Sequence, residues 1–377
     1  MAIDSFKGCL TSVEANEAAA EGIRSEWPDA EVVQVPVSDG GEGFLTAFQQ
    51  ALGGEVVEVA VRDPLMRRIT ARYLVNGPTA VIEMAQASGL TLLSPEERNP
   101  MVATTYGTGQ LVVDAVRRGC KHVIVGLGGS ATSDCGIGMI RAIIDSFAKG
   151  GAWDDVSELK GVRFTIATDV TNPLCGERGA AHVFAPQKFA IQREQSELDS
   201  TVGRGQAQAQ VKGATAEAVL ELDARAKRFA EVSARHFGFD RQDWPGAGAA
   251  GGLGYAFLQY LDADSRSGID LLLDSIGFDE LLKDATLVIT GEGSADRQTL
   301  MGKLPFGILQ RAKCHHVPVA LIAGRIADSQ QLLDAGFSQV VCINERSNPA
   351  REDVMNPDVA KRNIRHTVVA LIRNGLH

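Results

Sequence analysis

Short apolar segments rich in valine and isoleucine alternate along the chain with longer amphipathic segments. The apolar segments predict six strands, at residues 31–37, 55–61, 121–126, 163–168, 286–291 and 317–323. Two more, 70–75 and 79–84, flank Asn76-Gly77-Pro78 and predict a β-hairpin. Strands that alternate with helices indicate a layered α/β fold with parallel strands, to which the hairpin adds antiparallel structure.

Two amphipathic segments predict long helices. Residues 11–27 begin with Thr11 and Glu14, which have the spacing of a capping box. Residues 215–237 carry apolar side chains at helical spacing on one face. The polar, glutamine-rich segment 189–211 is interpreted as a surface excursion or an insertion, without assigned chemistry.

Composition and charge narrow the classes of protein. A chain of 377 residues with 45% hydrophobic content predicts two domains. Its net charge of −10, without a basic stripe, argues against a nucleic-acid partner, because phosphates require clustered cations. The six cysteines lack paired metal-ligand spacing and fit reduced thiols. With no leader pattern and no apolar run of about 18 residues, we expect a cytoplasmic protein without a membrane partner.

The glycine-rich segment 126–138 follows the predicted strand 121–126 and carries the strongest functional signal. Its glycines and small hydroxyls leave N–H groups exposed, which predicts a phosphate site at Gly128, Gly129, Ser130 and Thr132. The chain has no Walker pattern. A dinucleotide-type spacing is present, but residues 149–153 do not form the second strand that this fingerprint requires. The alternative without a ligand is that the glycines only allow a tight strand-to-helix turn.

Two polar motifs near the start of the chain have a composition that suits phosphoryl transfer. Lys7 precedes the first predicted helix, where its ammonium could neutralise a phosphate. Asp39 and Glu42 lie among glycines directly after the predicted strand 31–37. One carboxylate could accept a hydroxyl proton while the other orients substrate or metal. The alternatives are a solvated lysine and an ordinary helix cap.

Two later motifs add oxygen ligands and a cation beyond strand ends. Asp169 follows the predicted strand 163–168, and its carboxylate with the amide of Asn172 suits Mg²⁺. The alternative for this segment is an Asx turn before Pro173. Glu292, Asp296 and Lys303 follow the predicted strand 286–291. This set also suits phosphoryl transfer. A second glycine cluster, at 245–254, favours close packing over ligand contact.

In their order along the chain, these motifs resemble those of the bacterial glycerate kinase family. The matching segments are 4–8, 39–43, 82–85 with 87–90, 99–100, 104–109, 126–138, 169–174, 186–188, 246–254, 289–292 with 298, and 302–305. The resemblance implies two dissimilar α/β domains, one of them Rossmann-like with three layers, and an active site in the cleft between them. We predict that residues 1–62 with 280–377 form the Rossmann-like domain and that 63–279 form the second.

The resemblance also implies a small-molecule kinase that uses ATP and Mg²⁺ to phosphorylate D-glycerate, with 2-phosphoglycerate favoured over 3-phosphoglycerate. As hypotheses, Lys7 neutralises the transferring phosphate, and Asp39 or Asp169 accepts the hydroxyl proton. The candidate metal ligands are Glu42, Asp169, Glu292 and Asp296. The candidate substrate or phosphate contacts are Ser5, Gly40, Gly41, Gly128, Gly129, Ser130, Thr132 and Lys303, with Arg178 or Arg325 for the glycerate carboxylate. Whether segment 126–138 binds the phosphate of ATP or of the product stays open.

Two other functions compete with this interpretation. A non-catalytic sensor of glycerate or nucleotide would keep the fold without turnover. An NAD(P)-dependent hydroxyacid dehydrogenase would use the glycine spacing at 126–131, although the chain lacks the acid expected on a second strand. A homodimer is the assembly considered.

Overall fold

The structure is a computed structural model that describes residues 1–6, 9–35, 37, 43–189, 215–300, 303–345 and 353–373. In chain order its elements are β1 (Ala2–Ile3), α1 (Ser12–Glu26), α2 (Phe44–Leu52), β2 (Glu55–Arg62), β3 (Arg68–Asn76), β4 (Thr79–Glu83), α3 (Ala85–Ser88), α4 (Tyr106–Arg117), β5 (His122–Gly126), α5 (Ile137–Phe147), β6 (Arg163–Ala167), α6 (Ala180–Phe184), α7 (Ala216–Phe237), α8 (Ala249–Leu261), β7 (Asp264–Arg266), α9 (Gly268–Ser275), α10 (Phe278–Leu282), β8 (Val288–Ala295), α11 (Leu304–Cys314), β9 (Val319–Ile326), α12 (Ser329–Asp334), β10 (Gln339–Cys342) and α13 (Pro357–Arg373). They form two compact units, 1–53 with 268–377 (unit 1) and 54–267 (unit 2).

Unit 1 is built on a parallel four-stranded sheet in the order β1-β8-β9-β10. Ala320 and Ile322 of β9 join a buried cluster with residues of α1 and α13. Their neighbours Val319 and Leu321, which point to the opposite face, are also buried, and α11 packs against β8 and β9. Strands that are apolar on both faces are typical of a parallel sheet covered by helices on both sides.

Unit 2 is built on a six-stranded sheet in the order β2-β3-β4-β5-β6-β7. The pairs β2–β3 and β3–β4 are antiparallel, whereas β4 to β7 are parallel. Helices α4, α5 and α8 contribute to a large core in which Tyr73, Met139 and Phe257 are fully buried. The carboxyl ends of β5 and β6 thus lie side by side at one edge of the sheet, where ligand sites of parallel sheets are formed.

The α/β class and most predicted elements are confirmed. Five of the six predicted strands and the hairpin are present, with ends shifted by a few residues. Thr11 caps α1, with Glu14 completing the capping box, and Thr215 caps α7. The six cysteines are free thiols. Most of segment 189–211 lies outside the described residues.

The prediction of a strand at 31–37 is wrong for its described residues, 31–35 and 37. Val35 donates its N–H to the Met1 carbonyl at 2.8 Å, and the Met1 ammonium donates to the Val33 carbonyl at 2.6 Å. The adjacent β1 has only two residues, so it offers too few partners for a ladder. Composition alone could not reveal that the partner strand is so short.

The units divide elsewhere than the predicted domain boundaries, which followed residues 62 and 279. All of β2 pairs in register with β3, from Glu55 with Val75 to Arg62 with Arg68, so it belongs with unit 2. Where the chain returns to unit 1 at residue 268, it forms α9, and Arg311 of α11 donates hydrogen bonds to Asp270 and Asp274 of that helix. Among the described helices, none combines the length and apolar character needed to cross a membrane.

Candidate active site

The glycine-rich loop of unit 2 connects the end of β5 at Gly126 with the start of α5 at Ile137. Gly129 and Gly136 have φ values of 74° and 75°, which favour glycine. Ala131 donates its N–H to the Ser88 carbonyl at 2.9 Å, which fixes the loop to the segment after β4. The loop therefore has a defined backbone that presents Ser130 and Thr132 beside a helix N-terminus.

Ser130, Thr132 and Lys188 form a buried polar cluster in this loop, which we call the hydroxyl cradle. The Lys188 ammonium donates to the Thr132 carbonyl at 2.5 Å and to Ser130 Oγ at 3.4 Å. The hydroxyls of Ser130 and Thr132 lie 3.0 Å apart, and the Thr132 N–H donates to Ser130 Oγ at 3.1 Å. Burial lowers the pKa of Lys188 to about 7, and the charge of Asp134 opposes that shift. A cation and two hydroxyls in one buried cluster suit an anionic ligand.

Asp134 holds the loop in place through hydrogen bonds to backbone and side-chain donors. Its Oδ2 accepts from the Thr105 N–H at 2.8 Å and from the Thr105 hydroxyl at 2.9 Å, with a longer bond from Thr104. The N–H groups of Gly136 and Gly138 also donate to its carboxylate, each at 3.1 Å. The carboxylate thus ties the start of α5 to the start of α4.

The second glycine cluster packs directly against the loop, as predicted. A Cβ on Gly251 would lie 2.0 Å from the Thr132 carbonyl oxygen, and one on Gly252 would lie 2.9 Å from the Cα of Cys135. Cys135 also donates its N–H to the Gly251 carbonyl at 3.0 Å. Residues 250–252 are left-handed, which interrupts the helical start of α8 and lets its backbone approach.

Asp169 and Arg178 lie near the carboxyl end of β6, and both are exposed. Asn172 links their segment internally, because its side-chain amide donates to the Arg178 carbonyl at 2.8 Å. The Asn172 carbonyl in turn accepts from the Gly248 N–H at 2.9 Å. Unit 2 therefore brings Asp169, the second glycine cluster and the hydroxyl cradle to neighbouring loops of one unit.

Unit 1 carries a second group of predicted residues on and after β8. Glu292 lies within the strand, paired with Ala323, because the strand is longer than predicted, and Asp296 and Lys303 follow it. Glu292 is 7% exposed, and its carboxylate accepts from the Thr299 hydroxyl at 2.5 Å and from the Lys303 ammonium at 3.4 Å. Burial raises the pKa of Glu292, the charge of Asp296 raises it further, and Thr299 and Lys303 lower it. Asp296 also accepts from the Gln298 N–H at 2.7 Å, in the Asx-type turn that follows the strand. A buried carboxylate near a second one suits a cation.

The remaining predicted residues are distributed as follows. Arg325 is exposed on β9, in register with Ser294 of β8. Ser5 is half-buried beside Asp4, whose N–H donates to the Gly291 carbonyl at 2.9 Å. Lys7, Asp39, Gly40, Gly41 and Glu42 lie outside the described residues. Within the described part of the chain, no three His, Cys, Asp or Glu side chains form a metal-binding group.

A cleft of about 530 Å³ opens beside the glycine-rich loop in unit 2. Ser133, Ile137 and Arg141 line it from the loop and α5, and residues 100–104 line it from the opposite side. Val102 and Ile137 are largely exposed there, and the buried Ser133 hydroxyl has no hydrogen-bond partner within the described structure. An apolar cleft with an unused hydroxyl, beside residues 133–135 of the glycine-rich loop, suits a flat heterocyclic ligand.

Sequence reasoning gave no role to Lys188, Asp134 or Thr299. Lys188 stands in the quoted motif at 186–188, so the motif was noticed, but its contact with Thr132 spans 56 positions. Thr299 follows Glu292 by seven positions, after the end of β8, and reaches back to it across a turn. The signal for Lys188 was membership of a motif, whereas Thr299 lies just outside the quoted positions 298 and 302–305, and the geometry supplies the contacts of both.

Comparison with known proteins identifies the family of this chain. The family model described as "Glycerate kinase family" matches residues 1–210 and 203–374. A glycerate kinase of Bacillus subtilis is 40% identical over 364 residues, 91% of this chain and 89% of that protein. A glycerate 2-kinase of Escherichia coli is 37% identical over 400 residues, 100% of this chain and 99% of that protein. A crystal structure of a candidate glycerate kinase 2 from Salmonella typhimurium has a TM-score of 0.79 and 34% identity, covering 99% of this chain and 96% of that one. The chain therefore belongs to the glycerate kinase family, and it is a kinase.

Proposed function

We propose that the chain transfers the γ-phosphoryl group of ATP to a hydroxyl group of D-glycerate. In this reaction the bond between the γ-phosphorus and the β,γ-bridging oxygen breaks, and a bond forms from phosphorus to the glycerate oxygen. The hydroxyl proton passes to a carboxylate of the enzyme. The observation that carries the proposal is the hydroxyl cradle of Ser130, Thr132 and Lys188 in a chain of the glycerate kinase family.

ATP is the ligand that we assign to unit 2. The cleft of about 530 Å³ is wide enough for a nucleoside, and its lining by Val102 and Ile137 suits the faces of a purine. The phosphates would then extend to Gly128, Gly129 and the hydroxyl cradle, near the N-terminus of α5. This assignment chooses the phosphate of ATP over that of the product.

Mg²⁺ is the metal that we propose for the reaction, and Glu292 and Asp296 are the described carboxylates that suit it. Burial and the charge of Asp296 both raise the pKa of Glu292, and a bound cation would oppose that shift by stabilising the carboxylate. Bound Mg²⁺ would neutralise charge on the phosphates. Lys303, whose ammonium lies 3.4 Å from Glu292, would supply a second positive charge. Glu42 and Asp169 stay candidate ligands.

For the acceptor, the sequence-based roles stand as proposals. Asp39 or Asp169 accepts the hydroxyl proton, and Lys7 neutralises the transferring phosphoryl group. Arg178 or Arg325 would hold the glycerate carboxylate, since both are exposed and a guanidinium offers a two-point contact. Ser5, Gly40 and Gly41 complete the candidate contacts. The six free thiols support a reducing compartment such as the cytoplasm.

The favoured product is 2-phosphoglycerate. The support is the name of the Escherichia coli relative, a glycerate 2-kinase that is 37% identical over the whole of this chain. The position that is phosphorylated depends on how glycerate is oriented when its hydroxyl meets the phosphorus.

The test is ³¹P NMR of the purified protein with ATP, Mg²⁺ and D-glycerate. We expect a phosphomonoester signal whose proton coupling identifies position 2 and which Lys7→Ala and Asp39→Ala both lose. The exposed Lys149→Ala variant is the matched control and retains the signal. Glycerate binding without any phosphoglycerate would support a sensor instead, and glycerate-dependent reduction of NAD(P)⁺ would support a dehydrogenase.

A further inference from the structure

Lys188 is buried, and among the described residues no carboxylate pairs with its ammonium directly. It is 7% exposed, and its ammonium contacts only the Thr132 carbonyl and the Ser130 hydroxyl among the described residues. No ion pair joins it to an acid in that part of the chain. Burying an ammonium without an ionic partner is costly, so a residue of this kind points to an anion that arrives with the ligand.

The contacts of Ser130 determine the direction in which its hydroxyl can donate. Its oxygen accepts from the Lys188 ammonium at 3.4 Å and from the Thr132 N–H at 3.1 Å. Because a hydroxyl oxygen has two lone pairs, these bonds leave Ser130 to act as a donor. The Thr132 hydroxyl at 3.0 Å and the Ala250 carbonyl at 3.4 Å are its partners in the cluster. A phosphate oxygen would be a stronger acceptor than either.

We propose that Lys188 is a positioning residue that turns the Ser130 hydroxyl into a donor for a phosphate group of ATP and places a positive charge close to that group. The proposal rests on the proposed function for the identity of the anion. Lys188 acts through the Ser130 hydroxyl and the Thr132 carbonyl and takes no part in proton transfer to or from glycerate.

A second lysine in the chain provides a matched comparison. The sequence Pro186-Gln187-Lys188 is followed, after an interval, by Lys212-Gly213-Ala214, and both fragments resemble parts of one family motif. The structure brings Lys188 to the hydroxyl cradle, whereas Lys212 lies outside the described residues. Substitution of each lysine separately tests which of them serves the phosphate.

The pH dependence separates this role from simple structural support. Burial lowers the pKa of Lys188 to about 7, so the free enzyme loses this positive charge as the pH rises through that value. Affinity for ATP should then fall between pH 7 and pH 9. Lys188→Met has no group that titrates there, so its affinity should be lower and flat across the same interval.

The experiment measures the Kd of MgATP by titration calorimetry without glycerate, and the KM of each substrate, from pH 7 to pH 9. We expect Lys188→Met to raise the Kd and KM for ATP about tenfold or more at pH 7, since bonds to charged groups are strong. The KM for D-glycerate should change by less than about twofold, as a contact confined to ATP requires. Lys188→Arg should restore affinity at pH 9, and Lys212→Met should match the wild type.

An unchanged Kd for ATP in Lys188→Met would overturn the proposal, as would a wild-type affinity that is flat with pH. A lowered unfolding temperature with the ATP profile intact would mean that Lys188 only supports the fold. The binding measurement does not need turnover. A protein that binds ATP through Lys188 but forms no phosphoglycerate would therefore contradict the proposed function and still support this inference.

Discussion

The carbonyl oxygen of Thr132 and the α-carbon of Gly251 lie so close together that a Cβ on Gly251 would be 2.0 Å from that oxygen. The same carbonyl accepts from the Lys188 ammonium at 2.5 Å. One backbone group thus joins the glycine-rich loop, the second glycine cluster and the buried cation. Displacing Gly251 must disturb all three.

We expect Gly251→Ala to lower the free energy of unfolding by about 3 kcal/mol or more, because a methyl group would clash with backbone at a left-handed position. Gly238→Ala is the matched control: its φ is also positive, at 78°, but nothing lies within 4 Å of an added Cβ. It should cost about 1 kcal/mol. Denaturant titration of both variants checks the difference, and equal losses would contradict the close packing.

Asp134→Asn should loosen the glycine-rich loop. In asparagine an NH₂ group replaces one of the two carboxylate oxygens, and both of these oxygens accept from N–H groups in the wild type. The NH₂ group cannot accept, so the bonds to that oxygen are lost. The expected cost is about 1–3 kcal/mol in unfolding free energy, with weaker ATP binding. The exposed Asp243→Asn variant is the control and should be neutral. Wild-type stability and Kd in Asp134→Asn would show that these bonds do not hold the loop.

Thr299→Val should raise the pKa of Glu292. The Thr299 hydroxyl donates to this buried carboxylate at 2.5 Å and lowers its pKa, so removing it favours the protonated acid. If Glu292 acts as a carboxylate, the acidic limb of the kcat/KM profile moves to higher pH and the Mg²⁺ requirement increases. The exposed Thr70→Val variant should keep the wild-type profile. An unmoved acidic limb in Thr299→Val would exclude Glu292 from the ionisations that control the rate.

Val102→Asp should weaken nucleotide binding if the cleft of unit 2 accepts the base. The Val102 side chain is 63% exposed at the cleft wall, so a carboxylate there should leave the fold intact. Its negative charge would repel the phosphates of ATP, and its hydration would make the apolar surface less favourable for the base. We expect a rise of about tenfold in the KM for ATP and an unchanged KM for glycerate. Val232→Asp, on α7 and 56% exposed, is the matched control. Equal ATP kinetics in the two variants would show that this cleft does not bind the base of ATP.

Sequence patterns predicted what local chemistry determines. The run 121–126 and the glycines after it gave both β5 and its loop, because hydrophobic continuity and left-handed turns are properties of neighbouring residues. In contrast, β7 has only Asp264, Ser265 and Arg266, all exposed, and exists because β6 offers it a free edge. No period-2 pattern could have predicted it.

The same distinction applies to the candidate site. Ser130 and Thr132 could be chosen because small hydroxyls among glycines are a local signal. The partners that define their chemistry are remote: Lys188 is 56 positions from Thr132, and Thr105 is 29 positions from Asp134. Such contacts depend on which loops the sheet order brings together, and a single sequence does not encode that order in any local pattern.

The chain leaves unit 1 after residue 53 and returns at residue 268. Strand β1 therefore has no partner strand until β8 has been synthesised. The Thr290 hydroxyl that bonds to the Ala2 carbonyl lies 288 positions further along the chain. During synthesis, unit 2 has all of its strands before the first strand of unit 1 has a partner. The long-range contacts of unit 2 are complete at an earlier chain length, so folding on the ribosome should begin with unit 2 and end with unit 1, whose two segments meet last.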